Sequence, residues 1–307
     1  MARIGMTVSD TVLISVVIPT YNYAHLLPRA LDSVLSQMAD DIELIVVDDG
    51  SNDNTADVLA GYVEQHPELN VIWQANAGAA AARNRGIRNA SGRYALMLDA
   101  DDELLPDALA ALREVVAAQP QVGMVLGAQI SVFPDGRERL RQPAPVPSAS
   151  PLELARLYLL QKRISISHCC SLFRRDLLLK RPYPEVLRNG EDIPVFTYLL
   201  VSAPVVVTEV PLARIYKHAD SLRHRRDNEE EYAIGMVREV FAGLPAECQS
   251  LRRRYTAQRY LSLFRAAQNA GDHAQARRFY RHALCVSPLQ VLRWGYLRKG
   301  LRLLVGG

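Results

Sequence analysis

Over the first 130 residues, short apolar runs rich in β-branched side chains alternate with longer stretches whose apolar positions recur at helical spacing. Residues 12–18 form a strand-sized run, followed by a helical stretch over 24–37 and a second strand over 43–47. A helix over 54–65 leads to a strand at 70–73, and an alanine-rich helix over 78–89 leads to a strand at 94–98. A helix from Pro106 to about residue 118 and a strand near 122–126 continue the pattern, which then breaks at the proline-rich loop 143–147. Strands alternating with helices in this way predict βαβ units and a mostly parallel sheet. Residues 151–222 mix a helix (152–161), a strand-like piece (171–173), a helix opening near Glu191 and a strand (205–209). From Asn228 onward the pattern is wholly helical. Tyr260, Leu263, Gly271, Ala276, Tyr280, Ala283 and Pro288 there follow the spacing of one tetratricopeptide-like hairpin. Such repeats need about three copies to stand alone, so a single hairpin is expected to pack on the rest of the chain.

The predicted strand ends carry the unusual residues. Pro19-Thr-Tyr-Asn22 follows the first strand, Asp48-Asp-Gly-Ser51 the second, Asn76-Ala-Gly78 the third and Asp99-Ala-Asp-Asp102 the fourth. In a parallel sheet these clusters share one edge, the edge where ligands collect. Turn chemistry alone accounts for Asp, Asn, Gly and Ser at any one strand end, and a helix cap for one or two of the acids before Pro106. Two carboxylates held rigidly after an apolar strand can also bind a ribose hydroxyl and a hard divalent cation.

Charge is lopsided. Residues 251–307 hold twelve Arg/Lys against the single acid Asp272, a net +11, while the whole chain carries only +3. The tail therefore suits an anionic partner or forms a solvated basic face. Average hydrophobic and charged fractions exclude disorder, fibres and disulfide scaffolds. Four cysteines lack metal-ligand spacing, and no signal peptide or apolar span stands out, which fits a cytoplasmic protein, peripheral at most at the inner face of the cell membrane.

Taken together, Val16-Val-Ile-Pro-Thr-Tyr-Asn22, Glu43-Leu-Ile-Val-Val-Asp-Asp-Gly-Ser51, Asn76-Ala-Gly78 with Ala82-Arg-Asn-Arg-Gly86, Leu98-Asp-Ala-Asp-Asp102 and Gly190-Glu-Asp192 resemble the inverting family 2 glycosyltransferases of the glycosyltransferase-A fold. The motifs run in that family's order across roughly residues 12–220. The resemblance implies an α/β catalytic domain over residues 1–222, with a nucleotide-sugar half (1–127) and an acceptor half (128–222), followed by a basic helical extension over 223–307. It implies that Pro19, Tyr21 and Asp49 meet the base, that Asn76 and Arg83 help hold the nucleoside, and that Asp99 takes the ribose. Asp101 would hold Mn²⁺ or Mg²⁺, joined by His218 in Tyr216-Lys-His218, and Asp192 would be the general base. The expected reaction moves a sugar, from a UDP-sugar first of all, to an acceptor hydroxyl with inversion, the acceptor being a saccharide, a lipid-linked saccharide or another hydroxyl compound of surface polysaccharide or glycolipid synthesis.

A dinucleotide-dependent dehydrogenase would share the alternating start, but neither its glycine fingerprint nor a phosphate-binding P-loop is present. The non-enzymatic alternative, a scaffold led by the basic tail, explains only the last fifth of the chain, and no nucleic-acid-binding motif accompanies the charge. Gln290-Val-Leu-Arg-Trp294 spells a signature of processive family members, but it falls far downstream of Asp192 with no apolar span after it. Arg293, Trp294, Tyr296, Arg298, Lys299 and Arg302 instead suit a basic, aromatic-bearing helix for an anionic membrane surface.

Overall fold

The computed structural model describes residues 12–217, 229–292, 295–296 and 298. Four strands open the chain: β1 (Ile14–Thr20), β2 (Ile42–Asp48), β3 (Asn70–Trp73) and β4 (Tyr94–Met97). All three contacts among them are parallel, with β1 between β2 and β4 and β3 outside β2. The connecting helices are α1 (Leu27–Leu35), α2 (Thr55–Gln65) and α3 (Ala79–Asn89). Later strands are β5 (Glu103–Leu104), β6 (Met124–Val132), β7 (Glu138–Arg141), β8 (Ser171–Arg174) and β9 (Val205–Tyr216). The sheet runs β3-β2-β1-β4-β8-β6-β9-β5, with β7 hairpinned on β6. The pairs β4/β8, β6/β8 and β5/β9 are antiparallel, so the sheet is mixed.

Period-2 alternation decides which strand residues meet which helices. Ile14, Val16 and Ile18 of β1, with Leu44 and Val46 of β2, join a core completed by Leu27, Ala30, Leu31 and Val34 of α1 and by Leu109, Leu112 and Val116 of α4 (Ala108–Ala118). On the opposite face α3 lies directly on β1. A β-carbon on Gly86 would fall 2.3 Å from Val17 Cγ1, so only glycine permits that approach.

The chain forms two compact units. The first comprises Met1–Pro145, Ile166–Glu185 and Ala203–Asp220, and contains every strand together with α6 (Arg175–Lys180). The second comprises Val146–Ser165, Val186–Ser202 and Ser221–Gly307. Its helices are α5 (Pro151–Ala155), which runs into a π-helical turn (Arg156–Gln161), α7 (Asp192–Ser202), α8 (Glu229–Ala242), α9 (Arg252–Asn269), α10 (His273–Val286) and α11 (Pro288–Val291). One cluster of this unit joins Ala155 and Leu159 to Leu187 and to Met236, Val237, Val240 and Phe241 of α8. A second joins Tyr260, Leu261, Phe264 and Ala267 of α9 to Phe279, Tyr280 and Ala283 of α10. The two units therefore interleave along the chain: segments 146–165 and 186–202, which the sequence groups with the sheet, share their core with the C-terminal helices.

Candidate active site

The loops after β1, β2 and β3 are stitched together by side chains that accept backbone N–H groups. Asn22, in the left-handed region at φ 56°, accepts from the Asn52 amide at 2.7 Å. The Ser51 hydroxyl accepts from the Asn22 amide at 2.9 Å and donates to Asp48. Asp49 is buried and accepts from Gln74 Nε2 (2.7 Å), the Ala77 amide (2.8 Å) and the Gly78 amide (2.7 Å). One carboxylate thus fixes the β3–α3 loop, leaving Asn76 and Tyr21 exposed and Pro19 half-buried at the same edge. Gly50 makes the close approach feasible: its φ is +76°, and a β-carbon there would sit 2.8 Å from the Asn76 amide nitrogen.

From the second turn of α3, Arg83 reaches Asp99 with Nη2 2.8 Å from Oδ1. The guanidinium is buried, whereas the Asp99 side chain keeps 35% exposure toward the edge. Burial pushes the Asp99 carboxyl up, but the charge of Arg83 and its hydrogen bond, with smaller help from the Cys169 thiol, hold it below the ordinary carboxylate value. Asp101 is half-buried, and its carbonyl accepts from Arg29, whose guanidinium stacks 3.6 Å from the centre of the Tyr216 ring. Asp102 is buried; its Oδ1 accepts from the Tyr216 amide at 2.9 Å and its Oδ2 from the Cys169 thiol at 3.0 Å. Burial first, then the neighbouring charges of Asp99 and Asp101, push its carboxyl up to about 7. Three acids thus crowd one loop.

Cys169 and His168, from the segment before β8, complete this wall. Burial and the carboxylates of Asp102 and Asp99 push the Cys169 thiol up, so it stays protonated and donates. His168 Nε2 lies 3.1 Å from the Tyr183 hydroxyl, and burial with the adjacent Arg83 charge lowers its pKa to about 3, which keeps the ring neutral. Asn84 holds Tyr183 by accepting from its amide (2.9 Å) and donating to its carbonyl (2.8 Å). None of the sequence motifs includes His168, Cys169 or Tyr183. No spacing signal could mark them: Cys169 lies 67 residues past Asp102 in sequence and meets it through the fold, on the segment leading into β8, which pairs with β4.

The sheet edge therefore brings together Pro19, Tyr21, Asp49, Asn76, Arg83, Asp99 and Asp101. Asp192 lies in the second compact unit, as the first residue of α7 after Gly190 at φ +66°. Its charge is felt there by Tyr158, Tyr232 and Tyr255, whose hydroxyl pKa values rise mainly through burial and further through the nearby acid. His218, Arg293, Trp294, Lys299 and Arg302 lie outside the described residues.

A sheet parallel over its first four strands, with acids and a buried arginine at their carboxyl ends, is an α/β arrangement of the glycosyltransferase-A kind. Residues 15–181, more than half of the chain, match the profile of glycosyl transferase family 2, and the chain belongs to that family. It is 45% identical over 113 residues to the uncharacterized glycosyltransferase alr2836 of Nostoc sp. (strain PCC 7120), a match covering 36% of this chain and 35% of that protein. It is 35% identical over 124 residues to the chondroitin synthase of Pasteurella multocida, covering 40% of this chain and 13% of that one. The matched region thus spans about a third or less of such relatives' length. Among solved structures, residues 1–349 of S. aureus TarS in complex with UDP-GlcNAc superpose with a TM-score of 0.69 at 20% identity, over 89% of this chain and 81% of that one. The mannosyltransferase PcManGT of Pyrobaculum calidifontis, in complex with GDP-Man and Mn²⁺, gives 0.51 at 18% identity, over 96% and 85%. At these identities the likeness is one of fold.

Proposed function

We propose that this chain transfers a sugar from a nucleotide-sugar donor, a UDP-sugar first of all, to an acceptor hydroxyl with inversion of the anomeric centre. The observation that carries the reading is the convergence of Asp49, Arg83, Asp99 and Asp101 on the carboxyl edge of β1–β4. Family membership supports it, as do the UDP-GlcNAc and GDP-Man held by the two structural relatives. Acceptors of the class would be saccharides or lipid-linked saccharides of surface polysaccharide or glycolipid synthesis, met at the inner face of the membrane.

Each residue has a task its surroundings suit. Tyr21 offers an exposed ring on which a base can stack. Asp49 uses three of its roughly four acceptor positions on Gln74, Ala77 and Gly78, which leaves one for an imide N–H. Asp99, kept ionised by Arg83, accepts from ribose hydroxyls. Asn76 and Arg83 border the nucleoside.

The donor set fits a hard divalent cation. It consists of the carboxylate oxygens of Asp99, Asp101 and Asp102, the last pushed up to about 7 by burial first and by its neighbours' charges second, with the Cys169 sulfur beside them held protonated. Asp101 would hold Mn²⁺ or Mg²⁺, which when bound offsets charge on the departing diphosphate. His218 keeps the metal role that the family resemblance gives it. Asp192 takes the proton from the acceptor hydroxyl as general base; the start of α7, where backbone N–H groups face outward, favours its anionic form.

Thermal unfolding against a panel of nucleotide sugars, with and without Mn²⁺, tests the reading, because a ligand that binds the native state raises the midpoint by mass action. A rise with a UDP-sugar that grows with Mn²⁺ is expected. No rise with any nucleotide sugar would overturn it.

A further inference from the structure

We infer that the end of the α9–α10 hairpin, where the start of α9 meets the end of α10, is a docking surface for an anionic lipid bilayer. The inference deepens the membrane-face placement proposed above and names the residues that would make it. Arg252, Arg253 and Arg254 are consecutive and exposed in the first turn of α9. Arg253 Nε donates to the Val286 carbonyl at 3.2 Å, which brings this triplet against the last turn of α10. There the surface turns apolar: Leu284 is 41%, Leu289 74% and Leu292 55% exposed, with Cys285 also exposed among them. Single exposed leucines are ordinary, but three within nine residues, bordered by a basic triplet and by exposed Arg281, form a mixed patch.

The charge at this end is not neutralised locally. Between residues 247 and 292 there are eight arginines and two acids, Glu247 and Asp272. Asp272 caps the opposite end of α10, accepting from the Gln275 amide at 2.9 Å. Glu230 pairs with Arg278 and His282, away from the triplet. Glu247, in the turn Ala246–Leu251, is the acid nearest the three arginines in sequence within the described stretch 247–292. Cationic heads on long apolar stems beside exposed leucines suit the headgroup layer of an anionic membrane, with the guanidinium groups at phosphate level and the leucines below them. An acidic protein would match the charge but leave the leucines without a purpose; a second copy of this basic surface would be repelled.

Co-sedimentation of the full chain with vesicles tests this, using phosphatidylcholine alone and phosphatidylcholine mixed with phosphatidylglycerol, in low and high salt. Binding is expected only to the anionic vesicles. The exposed triple substitution R252Q/R253Q/R254Q should weaken it about a hundredfold, from roughly one unit of surface attraction per arginine. L289S/L292S should weaken it in a way that persists in high salt, where screening has already reduced the charge contribution. Both variants should keep the wild-type circular dichroism and the wild-type response to nucleotide sugars, so failure here is distinguishable from failure of the transferase reading. The inference is overturned if wild type ignores anionic vesicles, if it binds neutral ones equally, if both variants bind like wild type, or if the patch variants convert an oligomer into a monomer without changing vesicle binding.

Discussion

Arg83 gives the acids of the β4 loop different fates, and substitutions should separate them. Asp99→Asn deprives the buried guanidinium of its charged partner, 2.8 Å away, and is expected to cost about 1–3 kcal/mol in denaturant unfolding while leaving a metal response to UDP-sugars. Asp101→Asn should still unfold cooperatively but abolish the Mn²⁺-dependent increment of the thermal shift. The reverse pattern would exchange the two assignments. Glu43, at the opposite end of the sheet, makes a pH prediction. Burial pushes its carboxyl up, but four hydrogen bonds donated by Ser15, Ser91 and Gly92 outweigh this and hold it below its ordinary 4.5. A lowered folded pKa stabilises the native state above the unfolded value, and the contribution is lost as pH falls through the folded one. Glu43→Gln should therefore cost about 1 kcal/mol at neutral pH, discounted for partial exposure, and in urea titrations the gap should close as the pH falls from the ordinary 4.5 through the lowered folded value. The motifs single out Asp49 and Arg83 but not what they touch: a sequence motif names the acid at a strand end without saying that it also accepts from Gln74 and from the amides of Ala77 and Gly78.

At the level of elements, close packing of α3 on β1 depends on a missing methyl. Gly86→Ala would drive a β-carbon to 2.3 Å from Val17 Cγ1 in the centre of the sheet, and overpacking of this kind costs about 1–3 kcal/mol despite alanine's better helix propensity. Because the same helix carries Arg83 and Asn84, the midpoint of Gly86→Ala should fall and its affinity for nucleotide sugars should fall with it; a stabilised variant would contradict the packing argument. Strong periodicity made the first four strands and the helices between them readable, and β3 falls on the expected residues 70–73. What escaped was weakly patterned. Strand β5 has two residues, β7 is exposed along its whole length with no buried face to alternate, and α6 has six residues. Strand β9 runs seven residues beyond the expected 209, through exposed Glu209 and Val210 and past a register irregularity at Leu126/Ala128 that hides its period. That extension carries Tyr216 to the acid loop, so the part of the site it builds was invisible for the same reason.

For the whole molecule, the interleaving of the two units makes a prediction about where the chain can be cut. The family resemblance places a boundary at residue 222, ahead of the wholly helical pattern that follows. Yet Ala155, Leu159 and Leu187, all upstream of that boundary, are buried against Met236, Val237, Val240, Phe241 and Tyr255 downstream of it. Ending the chain at 222 would return these side chains to water, at roughly 25 cal/mol for each Å² of apolar surface exposed, and would leave segments 146–165 and 186–202 without a core. Such a loss exceeds what a marginally stable domain tolerates. The 1–222 fragment is therefore expected to be poorly soluble, to bind a hydrophobic dye such as ANS, and to lack a cooperative melting transition, although it keeps every strand of the sheet. Removal of residues 293–307 leaves both helical clusters with their buried members and should preserve the transition. A 1–222 fragment that melted cooperatively near the full-length midpoint, without dye binding, would show that the sheet unit stabilises those two segments by itself.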